Sequence, residues 1–416
     1  MIYRKMMKKL MLSCAVLCFF SSLGAELYIP QRFIEFGVEV SAGASNNLYG
    51  VPDILTETIT IDLQKVADGL GRNGFVMDAF ADANVFFNLN LSEKFRLGFF
   101  TNVSGSTYVG IGRGMFDLLA SGWDFGEAKK FSATAYGDLF MNVGASFHTT
   151  ILQNYGITIT PTYVVPLAYA DNASGNITFL TEQSGTIRAT AEASFTMYTA
   201  MDMEDFSADD VVDNIFSVMS KGGFDLSFEV ERPVLKRLDM GIFGRVPIIP
   251  GRLSYKMSRT MWAWFEEENL FNDLLNSSGD NPFANRYDYD EGEIEYGQST
   301  KYVFRPFRLG VEAAWRPFGN WCVFRPKLGF AVRHPYSSHA IFYPEYALDA
   351  HVTLFKVVGF QFGTAYEDRI FVQRVGLMLN TRIVQIDVKA LFRSEDFINS
   401  FRLAGAGAYV GVRFGF

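Results

Sequence analysis

The sequence alternates between apolar and polar residues over most of its length, and this alternation limits what the chain can fold into. Apolar residues take the even positions in residues 34–41 and the odd positions in residues 75–90. The same alternation returns at 95–103, 133–147, 157–169, 187–197, 307–315, 346–354 and 384–392. A repeat of two residues places successive side chains on opposite faces of a β-strand. The pattern therefore predicts an all-β chain of many strands, each with one apolar face.

The start of the chain has the composition of a signal peptide for export. Basic residues come first (Arg4, Lys5, Lys8 and Lys9), residues 10–20 are largely apolar, and small residues follow as far as Ala25. The apolar run is too short to be a transmembrane helix. We therefore expect a signal peptide at residues 1–25 and a mature chain at residues 26–416.

The mature chain contains no apolar run of about 18 residues or more, so the sequence predicts no transmembrane helix. An exported apolar chain without such helices can cross a bilayer only as a closed sheet, because every backbone polar group needs a partner in lipid. A soluble β-sandwich would also alternate, but its outer face would be polar. Here the apolar face continues across many strands and aromatic residues lie near strand ends, which favours a membrane barrel.

Connection lengths give an independent count of the strands. Tight turns are expected near 92–94, 317–320, 356–358 and 380–382, and long connections at 46–74, 106–129, 170–185, 265–301 and 333–343. Short and long connections alternate between the two ends of such barrels, the short ones being periplasmic. We predict a transmembrane antiparallel β-barrel of 14 to 16 strands, with 16 as the best count and both termini periplasmic.

Two segments have helical rather than strand patterns. Residues 207–221 begin with a capping arrangement of Ser207 and Asp210 and place apolar residues on one helical face, and two glycines follow them. The count of strands puts this helix on the periplasmic side, either plugging the lumen or resting at the rim. Residues 54–70 are expected to contain a second short helix in an outer loop.

The sequence contains no motif that specifies an enzyme, a cofactor or a metal site. It has no phosphate-binding loop, complete dinucleotide fingerprint or nucleophile elbow, and only four histidines. His334 and His339 share a loop, and residues 288–295 are acidic, but ordinary solvated loops explain both better than bound cations. The net charge of -8 without a basic patch argues against nucleic acid as a partner.

The polar face of the strands would line the barrel lumen. Its charged residues have mixed signs, which suits cross-strand pairs and also a path for small hydrophilic solutes. Eight of them are Arg96, Asp138, Arg188, Glu192, Arg308, Glu312, Asp349 and Arg374. Aromatic residues share the same face and predict either a packed plug or a path for an amphipathic ligand. These ligand-path candidates are Phe80, Phe86, Phe100, Tyr136 and Phe140.

The end of the chain, AGAGAYVGVRFGF at residues 404–416, resembles the C-terminal assembly signal of outer-membrane barrels. We assign that signal to Tyr409, Val412, Phe414 and the terminal Phe416. The resemblance implies outer-membrane lipid and the barrel-assembly machinery as partners.

Three proline-bearing segments carry a second resemblance: ITITPTYVVPLAYA at 157–170, GRVPIIPGRL at 244–253 and KYVFRPFRLGVEAAWRPFG at 301–319. With them the chain resembles the FadL-type long-chain fatty-acid transporters, in the divergent form seen in spirochaetes. This resemblance implies a channel for passive uptake of hydrophobic nutrients such as long-chain fatty acids. The chain departs from the family because it lacks an Asn-Pro-Ala plug motif before its first strand. A general diffusion porin, or an adhesin or structural barrel that acts through the loop at 265–301, are the alternatives.

Overall fold

A computed structural model describes residues 32–48, 50, 63–71, 74–92, 94–121, 126–151, 155–182, 186–204, 216–268, 287–338 and 340–416. The expected signal peptide, His339, most of the predicted helix at 207–221 and the middle of the loop at 265–301 lie outside these residues. None of the helices in the described ranges is long and apolar enough to cross a membrane.

The described part of the chain consists mainly of β-strands, with three short helices between them. The strands are β1 (Ile34–Asn46), β2 (Phe75–Ser92), β3 (Phe95–Ile111), β4 (Lys129–Ile151), β5 (Tyr155–Thr181), β6 (Thr186–Thr199), β7 (Gly223–Leu235), β8 (Leu238–Ile249), β9 (Gly251–Glu268), β10 (Tyr287–Asp290), β11 (Glu295–Val303), β12 (Phe307–Trp315), β13 (Cys322–Arg333), β14 (Ile341–Leu354), β15 (Val358–Glu367), β16 (Ile370–Asn380), β17 (Val384–Ser394) and β18 (Gly405–Gly415). The helices are α1 (Leu63–Gly69), α2 (Gly114–Ser121) and α3 (Phe397–Phe401).

The strands form one closed antiparallel barrel. A continuous path of pairings runs from β1 through β2, β3, β4, β5, β7, β8 and β12, and then through β13 to β18 in order. The first and last strands close it, with Val38 opposite Val412 and Val40 opposite Val410. Closure leaves no sheet edge within the ring, as a bilayer requires. The prediction of an antiparallel barrel of 14 to 16 strands is confirmed.

One side of the wall continues beyond this ring. Both β6 and β7 pair with β5, at residues 168–181 and 156–164, so the two strands lie end to end and run in the same direction. In the same way β9 follows β8 after Pro250, and β11 precedes β12 with Pro306 between them. Proline cannot donate to a strand ladder, which explains these two interruptions. β6, β9 and β11 therefore extend the wall at one end of the barrel.

The predicted tight turns are present, but the connections at the other end are not all long, because two residues (Asp368 and Arg369) join β15 to β16 there. The four predicted tight turns join β2 to β3, β12 to β13, β14 to β15 and β16 to β17 at one end, which we call the short-turn end. Both Ile34 and Phe416 lie there, and each bonds the other's backbone at 3.2 Å. The long connection predicted at 170–185 is wrong, because β5 continues to Thr181. Its register with β4 carries on through residues 173–179, where alternation persists.

Residues 216–221, the described part of the helix predicted at 207–221, lie farther from the short-turn end than the sequence analysis expected. Residues 216–219 are helical, and the Tyr163 hydroxyl donates to the carbonyl of Met219. Tyr163 belongs to the middle of β5, so the helix does not lie at the short-turn end. The count of strands failed here because it took β6 and β7 to be neighbours of opposite direction. The helix predicted within 54–70 is present as α1, in the connection between β1 and β2.

Large apolar side chains are exposed around the outside of the ring. They include Phe36, Phe99, Val143, Ile159, Ile242, Val311, Leu328, Leu348, Phe362, Leu377, Val388 and Val410. Those that fall within the alternating segments of the sequence lie at positions that the alternation assigned to the apolar face. An exposed apolar surface of this extent is stable only against lipid, so the barrel spans a membrane through its strands.

Candidate functional site

The barrel encloses a cavity of about 550 Å³ in its lumen. All five ligand-path candidates line it, and so do three of the predicted lumen charges, Asp138, Arg308 and Arg374. β2, β3 and β4 form one part of the wall, and β16, β17 and β18 form the part that adjoins it through β1. The alternation therefore placed these side chains on the correct face.

Three of the aromatic rings pack closely against glycines of the neighbouring strand. A Cβ added at Gly37 would lie 2.3 Å from the Phe86 ring, and one at Gly144 would lie 2.4 Å from the Phe100 ring. A Cβ at Gly43 would lie 2.7 Å from the Phe80 ring. Glycine allows this close approach because it has no side chain. Each ring is thus held against the barrel wall.

Guanidinium groups cover several of the rings from the lumen side. Arg393 lies 3.9 Å from the centroid of Phe80, and Arg413 lies 5.5 Å from that of Phe86. Arg333 lies 4.8 Å from the centroid of Tyr136. Such contacts stabilise both partners by cation–π attraction. The lumen surface is therefore amphipathic, with arginines above the aromatic rings rather than an uncovered aromatic path.

The fifth candidate, Phe140, has a different environment. It is 4% exposed and packs in a cluster with Val164, Leu253 and Val303, where the wall extension leaves the ring. The helical residue Val218 belongs to the same cluster. Phe140 therefore joins the cavity to the packed junction between the ring and its extension.

Most arginines that face the lumen form ion pairs with carboxylates. Arg413 on β18 lies 2.7 Å from Glu39 on the neighbouring β1. Arg393 on β17 lies 2.5 Å from Asp78 on β2, with β18 and β1 between the two strands. Arg374 lies 2.6 Å from Glu367 and 3.5 Å from Asp349, which explains the placement of the predicted Asp349. These ion pairs offset the charges along this part of the cavity wall.

A second group of ion pairs lies at the end of the cavity opposite the short-turn end, which we call the long-connection end. Here the side chain of Asp368 enters the lumen from the two-residue turn between β15 and β16. Its carboxylate lies 3.0 Å from Arg308 and 3.8 Å from Arg333, and accepts a hydrogen bond of 2.6 Å from Tyr343. Arg333 also reaches across the lumen to Asp138 on β4, at 3.2 Å. We call these five residues the mouth cluster.

The charge of Asp368 is stabilised by its neighbours. Burial raises the pKa of its carboxyl, but the charges of Arg308 and Arg333 outweigh burial and hold the pKa well below its usual range. Asp368 therefore carries its negative charge at neutral pH.

Two further arginines line the cavity beside the mouth cluster. Arg245 donates from Nε to the carbonyl of Pro306 at 3.2 Å, and no carboxylate of the described residues lies within 4.0 Å of it. Arg305 has Asp225 as an acidic neighbour, at 3.5 Å. This side of the mouth thus holds a guanidinium without a direct counter-ion.

The remaining predicted lumen charges do not line the cavity. Arg188 pairs with Glu182 at 2.8 Å and Glu266 at 3.0 Å, and Glu192 is exposed, because β6 belongs to the wall extension and not to the ring. Glu312 pairs with Lys327 on the next strand at 2.8 Å. Arg96 lies on β3 close to the short-turn end.

The predicted assembly signal divides between the two faces of β18. Phe414 and Phe416 are exposed, at 48% and 77%, and Val412 shares their alternation. Tyr409 is buried and lines the cavity, with the Lys389 ammonium 4.1 Å from its ring centroid. The outward residues are thus available to a partner, whereas Tyr409 is part of the lumen.

Sequence reasoning missed several residues of the cavity. Arg333 and Arg393 continue the inward alternation of β13 and β17, so the pattern could have found them. Asp368 lies in a turn and has no such signal, and Arg245 and Arg305 lie beside the prolines that interrupt the alternation. Among the described residues, no group of three histidine, cysteine, aspartate or glutamate side chains could hold a metal ion.

No family model matches the chain, and no curated protein matches it. Among solved structures it is similar to the P. putida toluene transporter TodX, with 8% identity, 94% of this chain and 91% of that chain covered, and a TM-score of 0.45. The Ralstonia pickettii toluene transporter TbuX matches with 9% identity, 93% and 90% coverage and a TM-score of 0.44. A Pseudomonas aeruginosa FadL homologue matches with 9% identity, 94% and 91% coverage and a TM-score of 0.44.

Proposed function

We propose that the protein is an outer-membrane channel for passive uptake of small hydrophobic molecules, such as long-chain fatty acids. The observation that carries this proposal is the amphipathic cavity of about 550 Å³ inside the closed barrel. Its size is in the range of pockets that hold one small ligand. Apolar side chains such as Ile370, Val372 and Leu391 line it beside the aromatic rings, and provide a surface for an alkyl chain.

The outer surface supports a location in the outer membrane. Exported barrels with an apolar outer belt are found in that membrane, with short turns on the periplasmic side. In this orientation the short-turn end and both described ends of the chain face the periplasm. The mouth cluster and the wall extension then face the cell exterior, where a substrate enters.

A general diffusion porin is the second candidate, favoured by the mixed signs of the lumen charges. The pairing of these charges weighs against it. Arg333 and Asp138 bridge β13 and β4 across the lumen, which narrows the path that a hydrated solute would need.

The test is the conductance of the refolded barrel in a planar bilayer, with and without a long-chain fatty acid, together with equilibrium binding of that fatty acid. We expect low conductance and saturable binding. Steady, large conductance that the fatty acid leaves unchanged would instead identify an open porin.

A further inference from the structure

The β15–β16 turn places a carboxylate in a site that is built to hold an oxyanion. We propose that Arg308, Arg333 and Tyr343 form a binding site for the head group of an amphipathic organic anion, and that Asp368 occupies this site until the substrate displaces it. This inference rests on the proposed function, for which it names the substrate class. It also makes the turn a gate that the substrate opens.

The contacts of Asp368 define the chemistry of the site. One carboxylate oxygen lies 3.0 Å from Arg308, and the other accepts from the Tyr343 hydroxyl at 2.6 Å, with Arg333 at 3.8 Å. Two guanidiniums and a hydroxyl converge on one anionic group from three strands of the wall, β12, β13 and β14, and Arg308 also pairs with Glu345 at 3.1 Å. Charge-assisted contacts of this kind bind carboxylates and phosphates alike. The site therefore recognises an oxyanion, and Asp368 is its resident occupant.

The turn itself favours this interpretation. Asp368 and Arg369 both have positive φ, 49° and 72°. Asn-Gly or Asp-Gly is the usual choice for such a two-residue hairpin, because a side chain at the second position costs free energy. Arg369 instead reaches across the lumen to the ring of Tyr108, 5.5 Å away on β3. Both turn residues thus contribute side chains that close the mouth.

The surroundings can accept an additional negative charge. Arg245 lies beside the site without a carboxylate of the described residues within 4.0 Å, and Arg305 has Asp225 at 3.5 Å. Below the site the cavity continues past Ile370 and Leu391. An anion whose head replaces the Asp368 carboxylate would therefore place its apolar tail in this cavity.

The experiment compares octanoate, octyl phosphate and 1-octanol, which share an eight-carbon chain and differ in the head group. Binding to the barrel in lipid nanodiscs is measured by titration calorimetry with empty nanodiscs as the blank, and conductance is measured in planar bilayers. The variants are Asp368→Asn, which removes the resident charge, Arg308→Gln, and Asp239→Asn as a matched control. Asp239 is also a carboxylate paired with an arginine, Arg316 at 2.5 Å, but it lies beside the turns of the short-turn end and does not line the cavity.

We expect octanoate or octyl phosphate to raise the conductance of the wild-type barrel, and 1-octanol to leave it unchanged. Asp368→Asn should conduct without ligand and bind the anion about tenfold more tightly, because a charge-assisted competitor is gone. Arg308→Gln should lose anion binding and retain 1-octanol binding, whereas Asp239→Asn should behave as the wild type. The stronger of the two anions identifies the head group as a carboxylate or a phosphate.

The two proposals fail in different ways. If all three probes bind equally, and Asp368→Asn binds and conducts as the wild type does, the inference is overturned and the uptake function stands. The same holds if Asp239→Asn matches Asp368→Asn, because a general loss of negative charge inside the barrel then explains the effect. If none of the probes binds the wild-type barrel, the proposed function fails, and the inference fails with it.

Discussion

In the lumen, individual aromatic rings pack against individual glycines of the neighbouring strand. Phe86 lies on Gly37, and Arg413 covers the opposite side of the ring. Alternation predicted that Phe86 faces inward, which is correct, but it contains no information about what lies on the next strand. The sequence therefore identified the lining of the cavity and not the contacts that fix it, since those depend on the register between strands.

Gly37→Ala tests this packing. The new Cβ would lie 2.3 Å from the Phe86 ring, so the ring must leave its place beneath Arg413, and we expect a loss of about 1–3 kcal/mol in the free energy of unfolding. Urea titration of the refolded barrel, followed by its migration in unheated SDS gels, measures the change. Gly297→Ala is the control, because a Cβ there meets no atom within 4 Å. Equal urea midpoints for the two variants would show that displacing the Phe86 ring does not lower the free energy of unfolding.

At the level of the strand and turn, alternation and connection lengths predicted most strands of the ring. They did not predict that β6 and β7, β8 and β9, and β11 and β12 lie end to end. Pro250 and Pro306 mark two of the interruptions, yet proline alone does not show whether a strand ends or continues along the same neighbour. The helix before β7 was placed at the wrong height for this reason. The Asp368 turn could not be recognised either, because only the folded barrel brings it to Arg308 and Arg333.

The turn makes a prediction about pH. The charged and titratable groups that face Asp368 are Arg245, Arg308, Arg333, Tyr343, Glu345 and Glu367. Because the folded pKa of Asp368 lies below its ordinary value, its contribution to closure is complete above about pH 4 and is lost as pH falls further. Conductance of the wild-type barrel should stay low from pH 8 to about pH 5 and rise below about pH 4. Asp368→Asn should lack that rise, and an opening between pH 5 and 7 would contradict the assignment.

The wall extension makes a prediction about function at the surface. Among the described strands, β10 has register partners only on β9 and takes no part in the closed path of pairings, so deleting residues 287–294 should leave the barrel folded. If uptake is the function, the deletion should preserve fatty-acid binding, measured by the same calorimetry. Loss of binding to host or matrix proteins, with fatty-acid binding unchanged, would instead favour an adhesin. Unheated SDS gels confirm that the deletion variant is folded.

Across the whole molecule, β18 closes the barrel and also carries the residues that we predict to be its assembly signal. The backbone of Phe416 bonds Ile34 in both directions at 3.2 Å, whereas its side chain is 77% exposed. The side chain therefore contributes little to the folded barrel. If it serves as a signal, its removal should reduce insertion and leave the stability of the finished barrel unchanged.

Phe416→Ser separates these two roles, because the substitution keeps the backbone bonds to Ile34. We expect a several-fold loss of the protein from the outer-membrane fraction of an expression host, and an unchanged urea midpoint after refolding in vitro. Phe355→Ser is the matched control, since Phe355 lies in the β14–β15 turn at the same end and is 94% exposed. It should insert as the wild type does if the predicted signal at Phe416, and not exposure alone, directs insertion. Equal losses for the two variants would mean that aromatic residues at this end act as general membrane anchors, and that Phe416 carries no separate signal.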